Sequence, residues 1–294
     1  MTTKSIPGTR LRTALEPVHA SNADSVSGHP LLREEAAAKF NSWLVSGQPA
    51  KEANYRILCF HHAGGSATQF KRWNYIAPHE AQFIGIQLPG RGHRSAEPPF
   101  HRLEQLLDEL VPAVADHLNT PFALFGHSVG ALVAFEFARR LRRIGANAPT
   151  HLFVASRPAP HLSFHHAPAH ELTDAELVNI LRGYGGTDES ILRDPATLQP
   201  YLPAIRADLD LSRTYQYDEE SPLPCAISAI GGASDRLCGV EELLEWRHQT
   251  AGPFQHRIFT GGHFFLNDAR QVVALIVASL ACPHENTTGS LMGS

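Results

Sequence analysis

The chain has 294 residues and a mass of 32.2 kDa, enough for one large domain or two modest ones at about 150 residues each. Hydrophobic residues make up 43% and charged residues 18%, which excludes a disordered chain, a coiled coil and a collagen-like repeat. With 25 basic against 29 acidic side chains, the net charge of −4 offers no electrostatic footprint for nucleic acid. Histidine is overrepresented at 18 residues, so the charge responds to mild acid.

Residues 1–38 are rich in Ser, Thr, Ala, Pro and charge without a sustained period, and read as a disordered extension. Residues 283–294 read as a flexible tail. Lys4, Arg10 and Arg12 precede no apolar core, so no secretory signal is expected. The longest apolar stretch near either end, 272–282, is about half a membrane span. Cys59, Cys225, Cys238 and Cys282 lack CxxC spacing, which argues against zinc or a disulfide framework and for a reducing, cytoplasmic setting. Cys59, inside Ile57-Leu58-Cys59-Phe60, reads as a small core residue.

Between the tails, β-rich runs occur at 55–60, 82–88, 121–126, 150–156, 224–231 and 255–260, each bounded by Gly, Pro or a polar turn. Helical periods fill most gaps. One runs from Leu103 to Leu118, with a kink expected at Pro112, and another spans 131–141. A last helix after Asp268 carries Val272, Val273, Leu275, Ile276 and Leu280. This alternation predicts a mostly parallel α/β sheet flanked by helices. The stretch 157–222 interrupts it with helical patterns and no strand. Thr173 and Glu176 form a capping-box pattern opening a helix through Leu181, and a second helix is expected over 198–215. Such an insertion is expected to act as a lid.

Gly126-His127-Ser128-Val129-Gly130 is a G-x-S-x-G pattern with a strand before it and a helix after it. In that setting Ser128 is lifted above the sheet edge on a strained turn, and any side chain at Gly126 or Gly130 would collide across it. A serine hydroxyl needs a base. Among the histidines, His263 follows the last strand in Gly261-Gly262-His263-Phe264, at the same sheet edge, whereas His248, His256 and His284 fall in a helix, a strand and the tail. His127 is displaced by the turn and is assigned a packing or orienting part. Asp235, just after the strand ending at Gly231-Gly232, supplies the carboxylate, giving the order Ser128, Asp235, His263 of an α/β-hydrolase fold. The amide of Val129 and one from the loop His61-His62-Ala63-Gly64-Gly65, assigned to Ala63, are the expected oxyanion donors. His61 and His62 are expected to pack beneath that loop.

Four ordered segments carry a family resemblance. They are Ile57-Leu58-Cys59-Phe60-His61-His62-Ala63-Gly64-Gly65-Ser66-Ala67, Gln87-Leu88-Pro89-Gly90-Arg91-Gly92-His93-Arg94, Phe125-Gly126-His127-Ser128-Val129-Gly130-Ala131 and Gly261-Gly262-His263-Phe264-Phe265-Leu266. Over about residues 40–280 the chain resembles the type II thioesterases that accompany polyketide synthases and nonribosomal peptide synthetases. The resemblance implies a thioesterase domain over 39–282 that hydrolyses acyl thioesters from the phosphopantetheine arm of acyl or peptidyl carrier proteins. It also implies Ser128, Asp235 and His263 as triad, Ala63 and Val129 as oxyanion donors, and 157–222 as the lid. No metal or other cofactor, no membrane and a monomer are expected. Two departures stand out: the extension is longer than such enzymes usually carry, and His61 or His62 replaces a more frequent proline or tyrosine. A general esterase or acyltransferase with the same triad, or a catalytically idle scaffold that binds, are the competing readings.

Two further groupings are weaker. His161, His165, His166 and His170 have metal-like spacing, but Pro160 and Pro168 interrupt a helix there and no carboxylate pattern completes a site. Arg139, Arg140, Arg142 and Arg143 are expected to complement the helix dipole and stay solvated, with an acidic carrier protein as the other possible partner.

Overall fold

The computed structural model describes residues 38–46, 53–162 and 168–281. The expected extension and tail, with Cys282, His165 and His166, lie outside the described residues. Among the described residues, seven strands form one sheet in the order β1-β3-β2-β4-β5-β6-β7. They are β1 (Leu44–Ser46), β2 (Tyr55–Phe60), β3 (Ala81–Ile86), β4 (Phe122–His127), β5 (His151–Ala155), β6 (Ala226–Gly232) and β7 (Phe254–Phe259). Neighbours from β3 to β7 pair in parallel, and β1 alone runs antiparallel, against β3. Of the six strands read from the sequence, 55–60 is present as read and the other five have ends shifted by one or two residues. β1, at three residues, is too short to show a period.

β4 and β5 are buried along their whole length, as expected where a parallel sheet is covered on both faces. Alternate residues feed two separate apolar layers. Leu58, Phe60, Leu124, Leu152 and Val154 pack under helices α1 (Leu103–Val114) and α2 (Val129–Arg143). Ile57, Cys59, Ala123, Phe125 and Phe153 pack on the opposite face, against the final helix, Ala269–Ala281. Each fully buried Leu, Ile or Phe contributes about 1.5–3 kcal/mol, so the period of two in these strands fixes which face meets which helices. Cys59, Cys225 and Cys238 are free and buried. Pro112 is accommodated late in α1: the helix ends two residues on and tightens into a turn at Ala115–His117, because Pro112 has no N–H to offer the preceding turn. No helix among the described residues is long and apolar enough to cross a membrane.

No strand interrupts the described part of 157–225. Its main helices are α3 (Asp174–Tyr184) and α4 (Leu202–Arg213), which join shorter turns around Leu177, Leu181, Leu198, Leu202, Ile205 and Leu209. The Thr173 capping box is present: the Thr173 hydroxyl accepts from Glu176 N at 3.3 Å, and Thr173 N donates to Glu176 Oε2 at 2.7 Å. The single helix expected over 198–215 is instead broken into short turns before α4, whose second residue is Pro203.

The arginines at the end of α2 depart from expectation. Arg139 is buried and bonds Glu136 and the Asp218 carbonyl, Arg140 pairs with Asp108, and Arg142 and Arg143 converge on Glu220. Arg139, Arg142 and Arg143 anchor the chain leaving the insertion, Arg140 ties α2 to α1, and of the four only Arg143 is exposed. Burial would raise the Glu220 carboxyl, but hydrogen bonds from Arg143 and Arg142 and the charge of Arg139 prevail and hold it at about 2.

Four histidines are held neutral in the interior. Burial pushes His61 down to about 3 and His151 to about 4, and it lowers His62 and His127 as well. Each lowered base binds its proton in the unfolded chain first, near pH 6.5. Their contribution to stability is therefore complete above pH 6.5 and is lost as pH falls toward 4 and below. The unfolding midpoint, followed by circular dichroism, should decline steadily from pH 6.5 to pH 4. His151→Gln should remove up to about 1.4 kcal/mol per pH unit from that slope. A midpoint that is level across this range contradicts the assignment.

Candidate functional site

The chain winds from β2 out to β3 and back across to β4, so the carboxyl ends of β2 and β4 flank the point where the winding reverses. That is where ligands bind in open α/β sheets. β4 delivers Ser128 there. Ser128 has φ 56° and ψ −119°, a conformation rare for a residue with a side chain. It is held because the backbone closes around it. A Cβ on Gly126 would lie 2.3 Å from the Gly130 carbonyl oxygen, and one on Gly130 would lie 2.3 Å from the Phe60 carbonyl oxygen. Ser128 N donates to the Ala155 carbonyl at 2.8 Å.

The loops after β6 and β7 bring two more groups to this point. His263 Nε2 is 3.1 Å from Ser128 Oγ, and His263 Nδ1 is 3.0 Å and 3.1 Å from the two Asp235 carboxylate oxygens. Because Asp235 can only accept, Nδ1 carries the proton and Nε2 is left to accept from the Ser128 hydroxyl. The His263 carbonyl accepts from His127 Nε2 at 2.8 Å and from Ser156 Oγ at 3.2 Å. His127 thus orients the backbone of His263, and its own ring stays uncharged. Asp235 Oδ1 also accepts from Leu237 N at 2.9 Å. Burial acts to raise the Asp235 carboxyl, but the bonds and charge of His263 and the Leu237 amide hold it below the usual range.

Val129 N sits at the first position of α2, where the helix offers no internal acceptor and the dipole favours negative charge. Ala63 lies in the loop 61–65, which the Gly130 contact places against the elbow. His61 is buried below the loop, and the His62 ring is 5.3 Å from that of His127.

Two residues with no role assigned from sequence fix this loop. Asp208, on α4, accepts from Gly64 N at 2.8 Å and pairs through both oxygens with Arg91. Both partners are buried. Gly64 has φ +73°, and a Cβ there would lie 2.8 Å from Ile205 Cγ1. Arg91 is part of the Pro89-Gly90-Arg91-Gly92 run. The signal for Asp208 is an acidic residue between Ile205 and Leu209, on the apolar stripe of its helix. The insertion also reaches the histidine side, where the Tyr184 ring is 6.2 Å from that of His263. A cleft of about 750 Å³ is lined by His62, His127 and Phe264 together with Trp73 and Arg270.

This arrangement can activate a hydroxyl toward a carbonyl carbon and hold the resulting oxyanion by backbone amides. Comparison with known proteins agrees in kind. Residues 55–280 match the Thioesterase domain family. The chain is 40% identical to "Linear gramicidin dehydrogenase LgrE" of Brevibacillus parabrevis, covering 81% of this chain and 92% of that protein. It is 38% identical to "Thioesterase PikA5" of Streptomyces venezuelae, over 77% of this chain and 80% of that protein. The solved structure of the type II thioesterase BorB from the borrelidin biosynthetic cluster superposes with a TM-score of 0.74 at 37% identity, covering 81% of this chain and 97% of that one. By sequence and by its α/β-hydrolase architecture, the chain belongs to the Thioesterase domain family and is a thioester hydrolase.

Proposed function

We propose that the chain is an editing and release thioesterase of polyketide or nonribosomal peptide biosynthesis, hydrolysing acyl groups from the phosphopantetheine arm of carrier proteins through Ser128, His263 and Asp235. The observation that carries this reading is the unbroken relay from Ser128 Oγ to His263 Nε2, at 3.1 Å, and from His263 Nδ1 to Asp235, at 3.0 Å. The naming of BorB as a type II thioesterase from a biosynthetic cluster supports the substrate class.

Ser128 Oγ attacks the thioester carbonyl carbon and passes its proton to His263 Nε2. Asp235 stabilises the imidazolium, and the amides of Val129 and Ala63 receive the oxyanion. The carbon–sulfur bond then breaks, and the His263 proton goes to the departing pantetheine sulfur. Water attacks the acyl-serine, giving its proton to His263. Collapse releases the carboxylic acid and returns the proton to Ser128. A thioester carbonyl is more electrophilic than an amide, and a thiolate departs readily, so no step asks for a metal. Arg91 and Asp208 are positioning residues in this scheme, since through Gly64 they hold the loop that bears Ala63.

Ser128→Ala should lower hydrolysis of an acyl-carrier protein by about 10⁴-fold or more; turnover near that of the unaltered protein removes Ser128 from the mechanism. Rates on matched acyl-carrier thioesters and oxygen esters should favour the thioester, and the reverse preference points to a general esterase. Asp208→Asn should reduce kcat by about 10- to 100-fold, short of the full loss of an oxyanion donor, with KM little changed and the circular dichroism spectrum retained. An unchanged kcat in the folded variant shows that the Gly64 link does not position the oxyanion loop.

A further inference from the structure

Away from Ser128, three potential metal ligands converge where the insertion meets the body. His101 lies between β3 and α1, His170 in the turn Ala169–Glu171, and Asp210 on α4. Their donor atoms all lie within 4.8 Å of one another. Asp210 is fully buried, and its Oδ1 is engaged by the backbone amides of Ala169 and His170. That leaves Oδ2 aimed at both imidazoles, 2.7 Å from His101 Nδ1 and 2.9 Å from His170 Nδ1. The two rings stand at 88° to each other.

We propose that His101, His170 and Asp210 form a zinc site that fastens the inserted helices to the catalytic body. Two imidazole nitrogens and a carboxylate oxygen are the donor set that suits zinc and not magnesium or calcium, which prefer all-oxygen shells. Zinc held about 2 Å from each donor sets them about 3.3 Å apart in a tetrahedron. The two Asp210 contacts need open by only about half an ångström, the three donor atoms already lie within 4.8 Å of one another, and both imidazoles are half exposed. Each imidazole then binds through Nδ1 and carries its proton on Nε2. The exposed side supplies the fourth ligand as water. The backbone amides on Asp210 Oδ1 are the outer support that metal-binding carboxylates ordinarily have. A divalent ion also offsets the cost of burying the Asp210 carboxylate. His170, which sequence spacing grouped with His161, here finds its carboxylate from a helix forty residues on. His161 instead meets Gln249 and Glu245.

Equilibrium dialysis of the full chain against zinc, read by elemental analysis, tests this directly. His101→Ala, His170→Ala and the double variant change half-exposed residues outside the proposed catalytic machinery. The unaltered chain should bind one zinc at this site. Each single variant should weaken that binding by roughly 100-fold or more, beyond the loss typical of an outer-shell change. Zinc should raise the unfolding midpoint of the unaltered chain and leave that of the double variant unchanged. Absence of zinc binding, or binding and thermal shift that persist in the double variant, overturns the proposal and reduces the cluster to two hydrogen bonds on a buried carboxylate. The readout is independent of thioester hydrolysis, so it stands or falls separately from the proposed function.

Discussion

The close backbone contact between the end of β2 and the start of α2 is the constraint from which the site follows. Gly130 rests on the Phe60 carbonyl and Gly126 on Gly130, so the chain can reverse within one residue at Ser128. That reversal lifts the hydroxyl clear of the sheet, points the first amides of α2 at the same space, and brings the loop after β2 alongside. A residue such as Ser128 at φ 56° costs on the order of 1–3 kcal/mol. The flanking strands, buried on both faces, hold it there. Backbone strain thus falls at Ser128, with a second positive φ, 50°, at Ser156 just beyond β5, and the remaining framework is ordinary parallel sheet.

The insertion is joined to that framework by apolar packing, with Leu211 of α4 buried in the core shared with α1 and α2, and by charge. Its internal contacts are apolar, around Leu177, Leu181 and Leu202, but three acidic residues make its principal polar ties to the body: Asp208 to Arg91, Asp210 to His101, and Glu220 to the arginines of α2. A buried pair such as Asp208–Arg91 adds little net stability over an apolar substitute, yet removing one partner costs about 3–5 kcal/mol. Such ties specify where the insertion sits more than how strongly the protein folds. The most consequential tie ends on Gly64, beside the proposed oxyanion donor, so the placement of α4 and the shape of the reaction centre are coupled. The four histidines kept neutral by burial add a complementary sensitivity to acid, and two of them, His62 and His127, lie near His263.

Much of this was legible in the residues. The continuous apolar run Ile57-Leu58-Cys59-Phe60 and its counterparts announce strands covered on both sides, and the small residues around Ser128 announce the turn. The order Ser128, Asp235, His263 anticipates three loops meeting at one sheet edge. What escaped was the long-range pairing of charges. Asp208 and Asp210 sit in a helical pattern whose apolar residues give no hint of their partners, and Arg91 lies 117 positions away from Asp208. The arginine cluster was read as solvated for the same reason, since local dipole arguments cannot see Glu220 arriving from the far end of the insertion. β1 escaped because three residues at an edge carry no periodicity. Most of the 18 histidines look alike in sequence, and it takes the structure to separate the buried ones from the half-exposed His101 and His170.

The central claim is that Ser128 becomes covalently acylated by the carrier-bound substrate. Rapid acid quench of the protein mixed with excess acyl-carrier protein, followed by mass spectrometry of the peptide containing Ser128, tests it directly. The account predicts a mass increase equal to the acyl group on that serine, appearing with the free carrier thiol and ahead of the free acid. Release of carrier thiol and acid in step, with no acyl group on Ser128 at any time resolved, contradicts it.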